Sequence, residues 1–294
     1  MPSASDFRLG ILTPVVTLLP GFHAHWEIDA GIEEITRAVL EAERLGYDFC
    51  TCSEHVGVPV DVAKIRGGRY WDPLAVFGYL AARTTTIKLA TFVLVLGYHH
   101  PLAIAKRYGT LDVLSGGRVV LGVGSGSLQE EFELLGAEFK NRGALADDAM
   151  RALRAALSQA EPTYAGEHFA FDEFLIDPHA IQAHVPMWVG GRTARSLRRA
   201  VELGDAWAPF GLRTNELGEL LAQARDTAAW NARSHPLEVI LQNDPPWDPI
   251  EEPDRVADQL GRMREIGATG LAARLVHHSV GHYCDQLAAL RTLA

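Results

Sequence analysis

Three short stretches of this sequence carry groups that could do chemistry. Glu54 and His55 stand side by side, and a carboxylate next to an imidazole can relay a proton or hydrogen-bond to a polar heterocycle. Residues 122–127 read GVGSGS and residues 190–193 read GGRT, so both leave backbone N–H groups uncovered by large side chains. Such amides can approach an anion or a flat ring closely, and a helix that starts after them adds a favourable dipole. The three stretches predict an acid–base group beside an anion-binding site.

Each stretch also has a simpler structural interpretation. His55 could be a histidine satisfied by backbone groups, and the GVGSGS stretch could be a tight turn. This stretch is not a dinucleotide-binding fingerprint, because Ser127 stands where the third glycine would be, and no Gly-Lys-Ser/Thr follows as in a Walker loop.

A cluster of arginines follows the second glycine pair. Helical spacing places Arg192, Arg195 and Arg199 roughly on one side of a helix, with Arg198 close by, and Thr193 is a good N-cap for that helix. This side could attract the anionic tail of a ligand. The alternative is a solvated basic helix face.

The pattern of the whole chain predicts how these stretches are positioned. Short apolar runs alternate with helical patterns from end to end, and an unbroken βα alternation requires a parallel sheet with right-handed crossovers. Eight such units without a linker favour a closed (β/α)8 TIM barrel of the α/β class over an open doubly wound sheet. The predicted strands are residues 7–16, 47–53, 87–96, 118–122, 187–190, 205–209, 237–242 and 270–276.

One segment interrupts this count. Residues 161–186, which include YAGEHFAFDEF, are interpreted as an insertion, with a hairpin, between the fourth and fifth units of a single domain over residues 1–294. In such a barrel the reactive groups lie where strands run into the following loops. The stretches around His55, GVGSGS and GGRT follow the second, fourth and fifth strands, so we expect them on one rim.

Composition excludes several classes of function. The hydrophobic content of 48% and charged content of 22% are those of a globular enzyme. The formal net charge of −10 disfavours nucleic acid and anionic membranes as partners. Cys50 and Cys52 are interpreted as buried thiols rather than a disulfide, and no zinc spacing is present. With neither a signal-peptide pattern nor a long apolar run, we expect a cytoplasmic protein without a metal.

The ordered set of motifs resembles a known family over nearly the whole chain. The motifs are SEH after the second strand, TFVLVLGYHHP, AKRYGTLDVLSGGRVVLGVGSG and MWVGGRTARSLRRAVELGDAWAPFG. They resemble the luciferase-like monooxygenase superfamily, and within it the coenzyme F420-dependent oxidoreductases of actinobacteria. The resemblance implies a barrel, a homodimer and a deazaflavin cofactor, coenzyme F420, with FMN as the alternative.

The resemblance also implies roles for individual residues. His55 matches a histidine that faces the deazaflavin ring, and Glu54 replaces a usual aspartate beside it. The peptide bond between Phe92 and Val93 matches a non-proline cis bond behind the ring. The remaining matches are cofactor contacts at Ser125 and Gly126 and a phosphate site at Gly190, Gly191 and Arg192.

One departure narrows the chemistry. The sugar-phosphate dehydrogenases of this group carry a glutamate acid where this chain has Ser127, so their reaction is not expected here. The implied reaction is hydride transfer between F420 and a small organic substrate, with His55 or another pocket residue supplying the proton. An FMN-dependent monooxygenase using dioxygen and a non-catalytic flavin- or deazaflavin-binding protein are the alternatives. Candidate pocket walls, with ordinary loop packing as the other interpretation, are His23, His25, Trp26, Tyr98 and His99.

Overall fold

A computed structural model of the protein describes residues 7–294. The strands in this range are β1 (Arg8–Ile11), β2 (Phe49–Cys52), β3 (Lys88–Thr91), β4 (Leu94–Val95), β5 (Val119–Gly124), β6 (Tyr164–Ala165), β7 (Ala170–Phe171), β8 (Met187–Gly190), β9 (Ala206–Ala208), β10 (Glu238–Gln242) and β11 (Gly270–Ala273). The α-helices are α1 (Ile32–Arg44), α2 (Val60–Arg66), α3 (Pro73–Ala81), α4 (Pro101–Ser115), α5 (Gln129–Leu134), α6 (Arg142–Ala156), α7 (Ala194–Leu203), α8 (Thr214–Arg225), α9 (Ala228–Asn231), α10 (Pro253–Glu265) and α11 (Val280–Leu293).

The strands form a closed parallel barrel with the helices outside it. Each strand pairs in parallel with its neighbours in the order β1, β2, β3, β5, β8, β9, β10, β11, and β11 pairs with β1 to close the ring. The short β4 pairs with β5 further along, so β3 and β4 together make the third stave. The predicted (β/α)8 barrel is therefore confirmed. Closure brings all eight carboxyl ends to one rim.

Several predicted strands are shorter in the structure than in the prediction. The apolar run 87–96 is not one continuous strand, because the ladder breaks between β3 and β4 at Phe92 and Val93. Strand β1 ends at Ile11, and it cannot extend to the predicted residue 16 because Val15 has a φ of 74°, outside the extended region. Strand β5 runs two residues further than the predicted 118–122 and takes in Gly124.

The segment around 161–186 leaves the barrel as predicted. It contains the antiparallel hairpin β6–β7, in which Tyr164 faces Phe171. Asp148 on α6 anchors this hairpin by accepting hydrogen bonds from the backbone N–H groups of His168 (2.7 Å) and Phe169 (3.0 Å). The segment thus packs against the outer helices.

The barrel interior is filled by side chains and forms a floor below the rim. Trp188 and Phe49 are fully buried there and meet edge to face, with ring centroids 4.9 Å apart. Gly10 makes room for this packing, because a Cβ at that position would lie 2.3 Å from the Phe49 ring. Leu12 and Phe92 pack on the upper side of the same cluster. Any ligand at the carboxyl ends therefore sits above a solid apolar floor.

Two further findings concern the rest of the chain. Cys50 and Cys52 are free thiols and buried, as predicted, and burial raises the pKa of Cys50 to about 12. Within residues 7–294, the helices are all too short or too polar to span a bilayer.

Candidate functional site

A cavity of about 880 Å³ opens at the carboxyl-terminal rim of the barrel. Most of the predicted site residues line it, and these are Glu54, His55, Phe92, Val93, Ser125, Gly126, Gly190 and Gly191. Arg192 does not line the cavity; it is exposed, with its guanidinium carbon 5.9 Å from the centroid of the Phe210 ring. Of the predicted pocket walls, His23 and Tyr98 line the cavity, whereas His25, Trp26 and His99 do not.

The third stave bends toward two glycine-bearing staves. The peptide bond between Phe92 and Val93 is cis, as the family resemblance implied. The Val93 side chain fills the space that Gly124 and Gly190 leave, since a Cβ at either glycine would come within 2.7 or 2.6 Å of a Val93 methyl group. The Phe92 carbonyl accepts a hydrogen bond from the Ser53 hydroxyl at 2.7 Å. The bend is thus fixed from both sides and forms one wall of the cavity.

The two glycine loops beside this bend have tight backbone geometry. Gly126 and Gly191 have φ values of 78° and 124°, which L side chains rarely adopt. A Cβ at Gly126 would lie 2.5 Å from Phe132, and one at Gly191 would lie 2.8 Å from the Ser196 Cβ. Both positions therefore require glycine and leave their backbone open to the cavity.

Helix α7 begins directly after the second loop. The Thr193 hydroxyl accepts a hydrogen bond from the Ser196 N–H at 3.2 Å, which confirms Thr193 as the N-cap. The predicted cluster of three free arginines beside it is wrong in one member. Arg199 is buried, forms an ion pair with Asp147 and donates to the Gly143 carbonyl at 2.9 Å. Arg192 and Arg195 remain exposed near the rim.

His55 is held by a buried carboxylate that sequence reasoning missed. Glu131, on the short helix α5, is fully buried and accepts a hydrogen bond from His55 Nδ1 at 2.6 Å. The same carboxylate accepts hydrogen bonds from the Tyr98 hydroxyl at 2.6 Å and from the N–H groups of Val56 and Gly57 at 2.6 and 3.1 Å. Burial acts to raise the pKa of Glu131, but these hydrogen bonds outweigh it and hold the pKa below its usual value.

The ionised Glu131 determines which nitrogen of His55 carries the proton. A carboxylate can only accept, so Nδ1 carries hydrogen and Nε2 is left as the lone-pair nitrogen of the neutral ring. No hydrogen bond joins Nε2 to another part of residues 7–294, and the ring packs edge to face on Tyr70 with centroids 4.4 Å apart. His55 lines the cavity, so Nε2 can exchange a proton with a molecule bound there.

Glu54, predicted to be catalytic together with His55, has both carboxylate oxygens hydrogen-bonded to neighbouring groups of the chain. Its two carboxylate oxygens accept hydrogen bonds from the Val95 N–H at 2.7 Å and from His99 Nε2 at 2.6 Å. Its own N–H donates to the Val93 carbonyl at 3.2 Å. This geometry favours a positioning role, in which Glu54 supports the chain on the far side of the bend.

A second histidine in the cavity, His277, follows β11, which is separated from β2 by β1 alone. The Trp26 indole N–H donates to His277 Nδ1 at 2.9 Å, so the ring proton of the neutral histidine is on Nε2. Burial lowers the pKa of His277 to about 4, and the ring is therefore neutral at pH 7. Nε2 points to Glu27, whose nearer oxygen is 3.7 Å away. Trp26 thus acts behind His277 rather than as a cavity wall.

The packing of the bend gives a prediction for stability. Replacing Gly190 with alanine should destabilise the protein by about 1–3 kcal/mol, because the new methyl group would collide with Val93. Urea unfolding of the purified protein measures this loss. Gly218→Ala on α8 is the matched control, since a Cβ there would meet nothing within 4 Å and the change should be neutral or stabilising. Adding Val93→Ala should recover part of the loss, and a double variant no more stable than Gly190→Ala would contradict this account.

The structure defines the class of protein as a (β/α)8 barrel with a cavity at its rim. The bent third stave and two glycine loops line this cavity. Comparison with known proteins then identifies the family. The model of the luciferase-like monooxygenase family matches residues 13–245, so the chain belongs to that family.

The chain is also similar to other proteins, in sequence to one relative and in fold to several solved structures. An uncharacterised protein of Mycobacterium tuberculosis (strain ATCC 25618 / H37Rv) is 29% identical over 277 residues, covering 89% of this chain and 94% of the relative. The EDTA monooxygenase of Chelativorans sp. BNC1 superposes with a TM-score of 0.77 at 15% identity, covering 98% of this chain and 93% of that one. An F420-dependent secondary alcohol dehydrogenase superposes with a TM-score of 0.75 at 14% identity, covering 98% of both chains. The solved neighbours thus share the fold and include enzymes of two kinds.

Proposed function

We propose that this protein is an oxidoreductase that transfers a hydride between the deazaflavin coenzyme F420 and a small organic substrate. The observation that carries the proposal is that the bend at Phe92–Val93 and both glycine loops surround one cavity of about 880 Å³. Its apolar floor and glycine-lined side fit a flat ring with a phosphorylated side chain. The fold neighbours that use F420 point in the same direction.

The residues present fit the coenzyme in three places. Phe92 and Val93 would stand behind the ring, Ser125 and Gly126 would contact it at the edge of the cavity, and Gly190–Gly191 would hold the phosphate with their backbone N–H groups. The exposed Arg192 and Arg195 would attract the anionic tail. When bound and reduced, F420 supplies the hydride and reacts poorly with oxygen.

The residues of the chain would bind and orient the coenzyme and the substrate, and one of them would exchange a proton with the substrate. His55 carries hydrogen on Nδ1 and offers Nε2 to the cavity, so in its protonated form it can give a proton to the reduced substrate. Glu131 and Tyr98 keep the ring in this orientation. The interior packing around Trp188 keeps water out from below.

A specific observation favours a second candidate, an FMN-dependent monooxygenase that uses dioxygen. Arg199 is paired with Asp147, so only two of the three arginines predicted to share one side of α7, Arg192 and Arg195, are exposed there. FMN has a phosphate but no oligoglutamate tail, so it needs fewer cations there. Monooxygenases are also among the fold neighbours. A non-catalytic binding protein would show cofactor binding without turnover of any carbonyl, enone or imine substrate.

Titration of the purified protein with F420 and with FMN, each in both redox states, distinguishes these candidates. We expect a dissociation constant for F420 about ten-fold or more below that for FMN, measured by fluorescence or calorimetry at fixed ionic strength. The double variant Arg192→Gln/Arg195→Gln should weaken F420 binding by about 2- to 10-fold, because it removes two exposed charge contacts. FMN binding should change less. Tight FMN binding without any response to F420 would contradict the proposal.

A further inference from the structure

The cavity contains a cation that the proposed mechanism does not use. Arg274 follows the last barrel strand, β11, and lines the cavity with a half-buried side chain. Within the described residues, its guanidinium group forms no hydrogen bond and no ion pair. Arg213, the other arginine on this cavity wall, is already paired with Glu216 at 2.7 Å. Arg274 therefore has donors free for a ligand.

Arg274 lies across the barrel from the glycine loops. In the closed strand order, β11 is diametrically opposite β5, and its neighbour β1 is opposite β8. The loops at Gly126 and Gly191 follow β5 and β8. One phosphate held by those loops cannot also be the partner of Arg274. The free guanidinium thus faces the other part of the cavity, where a second molecule would lie.

The position of Arg274 is fixed by its surroundings. The side chain of the buried Asn243 accepts a hydrogen bond from the Arg274 N–H and donates one to the Arg274 carbonyl, both at 2.7 Å. The Trp247 N–H donates to the same carbonyl at 3.0 Å. The guanidinium carbon lies 4.4 Å from the centroid of the Phe22 ring, so one face of the group is supported. The edge of the guanidinium group remains available for a ligand, and the Arg274 side chain needs little further ordering when a ligand binds.

The charges around Arg274 select the kind of ligand. Burial lowers the pKa of Arg274, whereas Asp244 acts to raise it, and the guanidinium stays charged at any ordinary pH. Asp244 is exposed and forms no salt bridge with it. Asp244 lines the same cavity, as do Glu27 and Glu54, so a dianionic phosphate would be repelled more than a monoanion. One planar guanidinium edge matches one planar carboxylate by two parallel hydrogen bonds.

We propose that Arg274 recognises a carboxylate group on the substrate, so that the substrate class is a small unsaturated or carbonyl compound bearing a carboxylate. The unsaturated or carbonyl group of this substrate is inferred from the proposed function. The anion site at Arg274 does not depend on that proposal. Phe22 would pack against the same part of the substrate, and Asn243 is a positioning residue for Arg274.

The anion site can be tested on the protein without any coenzyme. The arginine Nε–H signals are followed by NMR while acetate is added, and the Arg274 signal is assigned by its loss in Arg274→Gln. We expect a saturable shift of that signal with acetate and none with the neutral isostere acetamide. Inorganic phosphate should bind about ten-fold more weakly than acetate. Arg274→Lys keeps the charge but loses the paired donors, and should weaken acetate binding, followed through the backbone amide of residue 274, by about ten-fold.

The outcomes separate this inference from the proposed function. The Nε–H signal of Arg255, an exposed residue on α10 that is paired with Glu252, serves as the reference for non-specific effects. An Arg274 response no larger than that of Arg255, or the same response to acetamide, would overturn the proposal. Tighter binding of phosphate than of acetate would overturn the carboxylate assignment. A normal acetate response in a protein that fails to bind F420 would refute the proposed coenzyme and leave the anion site standing.

Discussion

Replacing His55 with asparagine should lower turnover by about 10²–10⁴-fold. The imidazole is the group in the cavity whose Nε2 is free and whose other nitrogen is oriented by a buried carboxylate. Asparagine keeps a polar side chain of moderate size but cannot take up and release a proton. Steady-state assays with the proposed coenzyme F420 measure the loss, and a titration with F420 tests whether the variant binds it as the wild type does.

The control for this variant is His235→Asn, which makes the same chemical change at an exposed histidine outside the cavity. It should leave turnover within about two-fold of the wild type, as for surface substitutions in general. Addition of imidazole to His55→Ala should restore part of the activity if His55 acts by proton transfer. Unchanged turnover in His55→Asn would remove His55 from acid–base chemistry.

Local pattern was sufficient to predict the architecture that positions this site. The alternation of apolar runs and helical patterns predicts the barrel, because each strand buried on both faces gives a run of the kind seen at residues 119–124. Thr193 and Asp72 cap helices as their residue types indicate. The location of His55 and the glycine loops on the rim follows from the strand assignment, because each of them comes directly after a strand.

Other features depend on contacts between residues far apart in the chain. In the sequence, Glu131 looks like a solvated helix residue beside Glu130 and Glu133. Only its burial and its hydrogen bonds to distant residues, such as the one from His55 Nδ1 at 2.6 Å, distinguish it in the structure. The interruption at Phe92–Val93 lies within a run of apolar residues that looks continuous, so it was expected from the family resemblance alone. Arg199 follows the helical spacing of its neighbours, but its burial depends on Asp147 on another helix.

Glu131 could have been found from the order of the strands around the barrel, because this order shows which loops are neighbours on the rim. Tyr98 and Glu131 come shortly after neighbouring staves, the third and the fourth, and His55 follows the second. Three consecutive rim loops carrying an imidazole, a phenol and a carboxylate can form one hydrogen-bonded cluster. The choice among Glu130, Glu131 and Glu133 required knowing which face of α5 is turned inward.

Glu131→Gln should reduce turnover by about 10–10³-fold, although the side chain keeps its shape. The backbone N–H groups of Val56 and Gly57 require the amide oxygen on their side, so the N–H₂ group would meet His55. Nδ1 would then have to accept, and the ring proton would move to Nε2. The tautomer can be read from the ¹⁵N shifts of the imidazole. A turnover loss without a change of tautomer would mean that Glu131 acts only by supporting the fold.

The same substitution has a stability effect that depends on pH. Loss of hydrogen bonds to a buried charge should cost about 1.5–3 kcal/mol in urea unfolding at pH 7. Because the pKa of Glu131 is lower in the folded protein than in the unfolded chain, its contribution is present at neutral pH and is lost as pH falls through the folded value. The stability difference between the wild type and Glu131→Gln should therefore narrow on acidification. Tyr98→Phe removes one of the four donors to this carboxylate. It should change turnover less than Glu131→Gln does. The His55 tautomer should be that of the wild type, because the carboxylate that fixes it is retained.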